Sequence, residues 1–213
     1  MFKKPTLIID ASGENVKIAF SQNGTLSAKI TTDSPALESV SQAINDLCKD
    51  FSEIENYAIC TGPGSMLGER FASVFASTLA KLHNAKIFEW DIMQATAFVI
   101  ADSLAVSEKF ALFTPSRKGF ANILIFAENK IIEEKEIEMS AINDFAECKK
   151  FTLRQRKNQP VELSQFEEIQ PTPTQIFQAL KNHNTLLSEC DLPPDAKSLT
   201  KREYAKWKAQ AHI

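Results

Sequence analysis

Three of the six glycines in this 213-residue chain fall within seven positions. Gly62, Gly64 and Gly68 stand in the run Cys60-Thr61-Gly62-Pro63-Gly64-Ser65-Met66-Leu67-Gly68-Glu69-Arg70. Glycine collects where a backbone must turn sharply or approach another group closely. Here it joins an apolar, strand-like segment (Tyr57 to Cys60) to a long helical pattern (Leu67 to Leu82). A strand, a tight glycine turn and a helix are the pieces of an α/β layer, and the rest of the chain must accommodate that unit. Two readings of the turn stand. The first N–H groups of a helix are unpaired and favour anions, so the turn could cradle a phosphate. Alternatively it is a structural corner with Ser65 as the helix cap. No Gly-Lys-Ser/Thr follows, so it is not a P-loop, and the dinucleotide-fold glycine spacing is absent.

The flanking patterns extend the α/β reading. Thr6–Ile9, Val16–Ser21 and Thr25–Thr31 read as strands, with Asn23-Gly24 as the hairpin turn between the last two. Ser34 caps a helix with Pro35 at its first position. On that helix Leu37, Val40, Ile44, Leu47, Cys48 and Phe51 recur at three- and four-residue steps. In the helix after the glycine turn, Ala72, Ala76 and Ala80 form a ridge of small side chains beside Phe71, Val74, Phe75, Leu79 and Leu82. Ser73 and Ser77 flank the ridge, which suits close approach of another helix, from this chain or from a second one. Lys86–Trp90 then reads as a strand and Ile92–Leu104 as a helix. Beyond residue 105, Lys109–Thr114, Phe120–Ala127 and Lys130–Ile137 read as strands, with Glu128-Asn129 as a turn. Phe151–Leu163 is polar and contains Pro160, and Pro171-Thr172-Pro173 introduces a helix from Thr174 to Lys181. No sequence repeat is evident. The expected division is an N-terminal lobe, residues 1–105, and a smaller C-terminal lobe with a tail, residues 106–213.

Composition narrows the function classes. With 44% hydrophobic residues the chain can bury a substantial core, and a net charge of −3 argues against a stand-alone nucleic-acid binder. The four cysteines, Cys48, Cys60, Cys148 and Cys190, have no CxxC pairing, which suits free thiols in a reducing compartment. His83, His183 and His212 are isolated, so no metal-ligand spacing exists. Ser65 does not sit in a Gly-x-Ser-x-Gly elbow. No signal-peptide or membrane-length apolar run is present. The tail from Lys197 to Lys208 mixes basic residues with Tyr204 and Trp207. It reads either as a nucleic-acid contact or as a terminal helix with its aromatics packed on the body. Arg117-Lys118 reads as a phosphate contact or a surface turn.

The motifs in order resemble a known family. Gly62-Pro63-Gly64-Ser65-Met66-Leu67-Gly68-Glu69-Arg70 is similar to the Gly-Pro-Gly-Ser-Phe-Thr-Gly-Leu-Arg signature of the bacterial TsaB (YeaZ) family. Leu7-Ile8-Ile9-Asp10-Ala11-Ser12 resembles that family's opening strand. Ser116-Arg117-Lys118-Gly119-Phe120 resembles its Arg-Gly segment, and Pro194-Asp195-Ala196-Lys197 resembles the ending of some members. Leu67 and Glu69 stand where the family usually has Thr and Leu.

The resemblance implies an α/β, actin-like ATPase (ASKHA, RNase H-like) fold of two lobes, with mixed sheets flanked by helices. In that fold the positions of Asp10 and Ser12 face phosphate and metal, and with Gly64 and Ser65 they are the candidate cofactor contacts; Asp10 reads alternatively as a structural or vestigial group. No second aspartate-plus-glycine hairpin is visible here, so no complete nucleotide site is expected in this chain. The family's role is a non-catalytic scaffold for a paralogous catalytic subunit, TsaD, together with the small ATPase TsaE. The assembly transfers a threonylcarbamoyl group to N6 of adenosine 37 of tRNA. ATP and a divalent metal would then belong to the partner subunits, tRNA would be met indirectly, and the setting would be the cytoplasm. Alone, the chain would form a homodimer. The corresponding family helices bundle with the second subunit, which nominates Leu37, Val40, Ile44 and Leu47 on the first helix and Phe71, Ala72, Phe75, Ala76 and Ala80 on the second. Two other classes stay open: an ATP-dependent enzyme using Asp10 and the Gly62–Gly68 region, and a peptidase-like hydrolase.

Overall fold

The computed structural model describes residues 2–32, 36–47, 50–104, 108–153, 160–191 and 193–194. Ser34, Pro35, Cys48, the Asp195-Ala196-Lys197 match, the basic aromatic tail and His212 lie outside the described residues, as does the side chain of Leu37.

Two mixed sheets share one plan. In the first, β1 (Thr6–Asp10), β2 (Val16–Gln22) and β3 (Thr25–Thr32) form an antiparallel meander. β4 (Asn56–Cys60) and β5 (Lys86–Trp90) then add in parallel beside β1, and β11 (Ser188–Cys190) closes the edge antiparallel to β5. The order is β11-β5-β4-β1-β2-β3. In the second sheet β6 (Phe110–Pro115), β7 (Phe120–Ala127) and β8 (Lys130–Glu138) again form a meander. β9 (Lys149–Leu153) and β10 (Glu167–Ile169) again add in parallel, giving β10-β9-β6-β7-β8. The plan is repeated although the sequence is not, because strand order needs only apolar alternation and turn residues, not particular side chains. Both hairpins use tight turns with positive φ at both central residues: Asn23 and Gly24 in one, Glu128 and Asn129 in the other.

The helices make the layers. α1 (Ala36–Leu47) lies over β2 and β3, and α2 (Met66–His83) lies over β4, reaching β1 on one side and β5 on the other. One core fills this layer: Leu7, Ile9, Ile18, Tyr57 and Ile59 from the sheet meet Val40, Ile44, Ala72, Ala76 and Ala80 from the helices. On the other side of the first sheet, α3 (Ile92–Leu104) and α4 (Pro173–Asn182) pack on each other between the two sheets. A third core covers the far face of the second sheet, where Phe113 and Ile123 meet Ile142 and Leu163. The C-terminal half therefore returns to the N-terminal one: α4 packs on β2 and β3, and β11 is the edge strand of the first sheet.

The small-residue ridge has a different role from the one expected. Ala72, Ala76 and Ala80 are at most 1% exposed, and Val40 and Ile44 are fully buried. These five residues lie in the chain's own core and are not available to a second subunit. The physical reason is close packing of α2 on α1 and on the sheet, which small side chains permit. Phe71, Phe75 and Leu47 are half-buried against the same core. The outward stripe of α2 is instead Leu67, Val74 and Leu82, exposed at 64%, 60% and 73%.

Candidate functional site

The glycine turn brings the ends of β1 and β4 together with the starts of α2 and α3. Ser65 caps α2: its hydroxyl oxygen accepts from the Gly68 N–H at 3.3 Å. Its own N–H donates to the Ser12 carbonyl at 2.6 Å, tying the turn to the loop after β1. Thr61 N–H donates to the Trp90 carbonyl, and the Gly62 carbonyl accepts from Ile92 N–H, which ties the turn to the start of α3. The Gly62-Pro63 peptide is cis.

Two of the glycines are required for separate reasons. Gly62 has φ +97°, in the region that disfavours side chains, and a Cβ there would come within 2.5 Å of Glu69 Oε1. Gly64 does not have positive φ; it is crowded, and a Cβ there would overlap the Ser12 carbonyl. Positive φ and backbone crowding thus fall on two different glycines of the turn.

Asp10, Ser12, Gly64 and Ser65 do meet here, and the structure adds three ionisable residues, Lys17, Glu69 and Asp91. Asp10 Oδ1 accepts from the Ser12 hydroxyl at 2.6 Å and from the Ser12 N–H at 3.0 Å. Its Oδ2 faces Lys17 Nζ at 3.4 Å, both side chains being buried. Glu69, one turn into α2, is 3% exposed, and its Oε1 has no hydrogen-bond partner. Burial, then the charges of Asp10 and Asp91, push the Glu69 carboxyl up to about 8. Asp91 accepts from the Gln94 N–H at 2.8 Å at the start of α3. Burial, with Asp10 and Glu69 nearby, also pushes the Cys60 thiol well above its ordinary value, which makes it a poor nucleophile.

Lys17 carried a signal in the sequence, a lysine within an otherwise apolar strand, but its register opposite Asp10 is visible only in the structure. Glu69 carried one as the residue standing where the resembling family has leucine. Asp91 looked like an ordinary polar residue before a helix.

Chemically the cradle is poorly disposed toward phosphate. The carboxylate of Asp10 is neutralised by an internal lysine, and a second carboxyl sits directly over Gly62. Among the described residues no three His, Cys, Asp or Glu side chains gather as metal ligands. Among the described residues a hydrolase constellation is not assembled either. The Ser65 hydroxyl serves as a cap, and His83 stands at the opposite end of α2, about 27 Å away along an 18-residue helix. His183 pairs with Asp102 at 3.0 Å and stacks on Phe98, between α3 and α4. Arg117 lies over the Phe120 ring and bridges to Glu136 at 3.0 Å, as a surface-turn residue does. No helix among the described residues is long and apolar enough to cross a membrane.

No family model matches the chain, and no curated protein matches its sequence. Solved structures do match. One is an uncharacterised protein with similarity to the peptidase YeaZ, from Pseudomonas aeruginosa. It is 15% identical with a TM-score of 0.68, over 91% of this chain and 100% of that one. Another is YeaZ from Pseudomonas aeruginosa, 14% identical with a TM-score of 0.64, over 85% and 92% of the two chains. The likeness gives the fold: α/β, shared with the YeaZ structures, with two mixed sheets flanked by helices.

Proposed function

We propose that this chain is a divergent TsaB-type subunit that acts as a non-catalytic scaffold. Its partner in this reading is a TsaD-like paralogue that carries the chemistry of threonylcarbamoyl transfer to N6 of adenosine 37 of tRNA, with a TsaE-like ATPase. The order of the motifs and the YeaZ-like fold support the family. The single observation that carries the scaffold role is the cradle itself. It keeps the glycine turn of the family signature, and beside that turn lie an internal ion pair, Asp10–Lys17, and the buried carboxyl of Glu69. What remains functional is surface.

The surface that fits a second subunit is the outer face of α2. Leu67, Val74 and Leu82 recur at seven and eight residues, so they share one face over four turns. Half-buried Phe71 widens the stripe. Exposed apolar side chains aligned along one helix are unusual on an isolated protein and suit helix-on-helix association. In this reading the same face pairs with a second copy of the chain in the absence of the paralogue.

The test is co-purification of the tagged chain with a TsaD-like protein, with light scattering of the isolated chain. The reading expects capture of the paralogue and a dimer mass when alone, both lost in Val74→Arg while circular dichroism stays native. A chain that stays monomeric and captures no such protein overturns it.

A further inference from the structure

The first sheet ends in a strand with little of its own to hold it. β11 is three residues long, and it pairs with Ile87, Phe88 and Glu89 on the outer edge of β5. Ser188 and Glu189 are exposed and Cys190 is half-buried, so the strand brings one apolar side chain to the core of its layer. Side-chain packing and cross-strand pairs are what stabilise a sheet, and three residues supply few of them. The ion pair from Glu189 to Lys86, at 2.7 Å, is exposed by 49% and 60% on its two sides, where such pairs contribute little. Glu89, Glu189 and Asp191 gather around Cys190, so like charges meet where the two strands pair.

What is firm lies at the two ends. Before β11, Leu186 is buried and Leu187 packs half-buried against the core between the sheets. After it, the Pro194 carbonyl accepts from the Ser73 hydroxyl at 2.6 Å, and Ser73 lies on the buried side of α2. Between these anchors the segment is not packed down on the helix. A groove of about 470 Å³ is lined by Cys190, Asp191 and Pro193 from the segment and by Ser77 and Lys81 from α2. Ser77, one turn along α2 from Ser73, is 8% exposed, and its hydroxyl has no hydrogen-bond partner. The serine-to-carbonyl contact made at Ser73 is therefore not repeated at Ser77.

Short pairing, an exposed strand and few buried apolar contacts are the marks of a segment that opens by itself. We propose that residues 187–191, 193 and 194 are a strap, latched by the Ser73–Pro194 hydrogen bond, that opens as one unit while the rest of the first sheet stays folded. Opening bares the outer edge of β5, and latching covers it. The sheet thereby offers or withholds a strand edge, of the kind to which a further strand can add. The inference needs only the fold: it does not draw on the scaffold reading, and the latch residue Ser73 is not on the exposed stripe of α2.

Hydrogen exchange on the full chain in low concentrations of urea tests it. The hydrogen-bonded amides of β11 exchange at least about a hundredfold faster than those of β4, at a rate that hardly depends on urea, because a local opening exposes little surface. Ser73→Ala removes the latch and speeds the β11 amides about fivefold, the weight of one hydrogen bond, while β4 keeps its rate. β11 amides that exchange at the β4 rate and with the β4 urea dependence overturn the proposal, because the strand is then lost only with the whole fold. An unchanged β11 rate in Ser73→Ala overturns it too, since the hydroxyl then latches nothing. If Ser73→Ala speeds β4 by the same factor as β11, the serine supports the entire fold and the strap is not a separate unit.

Discussion

Glu69 is held where a carboxyl is least welcome. It lies under the first turn of α2, over the bare backbone of Gly62, with Asp10 and Asp91 close enough to oppose its ionisation. Its ordinary value is 4.5 and its folded value about 8. The unfolded chain therefore ionises this group through a range in which the folded chain keeps it protonated. The resulting loss of stability begins near pH 4.5, grows through neutrality and levels off above about pH 8. Replacing it with an uncharged isostere removes the penalty, so Glu69→Gln stabilises the fold at pH 8 by on the order of a few kcal/mol. At pH 4.5 the two proteins differ little. Urea unfolding at both pH values measures the difference; equal gains at the two would place the cost in the missing hydrogen bond to Oε1 instead of in ionisation. Gly64→Val acts by a simpler route. Its branched side chain must displace the Ser12 carbonyl and with it the Ser65 N–H bond, and a loss of roughly 3 kcal/mol or more follows. A melting temperature equal to that of the unaltered chain would show that the turn yields.

At the scale of the element, α2 separates two kinds of small-to-large change. Ala76 is fully buried between α1 and the sheet, so Ala76→Arg places a long charged side chain in a closed core and unfolds the protein. Val74 stands two positions earlier on the exposed side, and Val74→Arg leaves the circular dichroism native. A folded Ala76→Arg protein would mean that the ridge faces outward after all. The alanine periodicity was plain in the sequence, but its direction was not. A ridge of small residues reads alike whether the approaching helix is α1 or a second chain. Long elements were legible for the same reason that they are stable: β1 to β8 alternate or run apolar, and α2, α3 and α4 have caps and periodic faces. β9, β10 and β11 were missed. Lys149-Lys150-Phe151-Thr152-Leu153 hides three buried residues behind two lysines. Glu167–Ile169 and Ser188–Cys190 are three-residue strands with no pattern of their own, formed only because a neighbouring strand edge is available to pair with. In the site, Asp10, Ser12, Gly64 and Ser65 could be nominated because turns and caps are local. The Asp10–Lys17 pairing and the burial of Glu69 depend on strand register and helix docking, which are not.

Across the whole molecule the two sheets repeat one strand plan but not one set of charges. The first lobe presents Asp10 at the end of its opening strand, held by Ser12 and Lys17. The opening strand of the second lobe, β6, runs Phe-Ala-Leu-Phe-Thr-Pro. It ends on Thr114, whose hydroxyl faces the Leu153 carbonyl at 3.4 Å, and on Pro115. That terminus offers no carboxylate for a metal. The turn that follows carries Arg117, already paired with Glu136 and stacked on Phe120. A nucleotide clamp needs phosphate-facing groups from both sheets, and here Asp10 of the first is paired with Lys17 while the second has hydroxyl and guanidinium groups turned to neighbouring strands of its own sheet. The expected outcome is that the purified chain turns over ATP far more slowly than an ordinary enzyme, well below about one per second, and that Asp10→Ala leaves this background unchanged. Because Asp10 also anchors Lys17 and Ser12, the same variant loses stability, which thermal unfolding reads separately. Turnover near ordinary enzyme rates that disappeared in Asp10→Ala, with the fold intact, would show that the cradle is a working half-site and that the Lys17 pairing opens to admit a nucleotide.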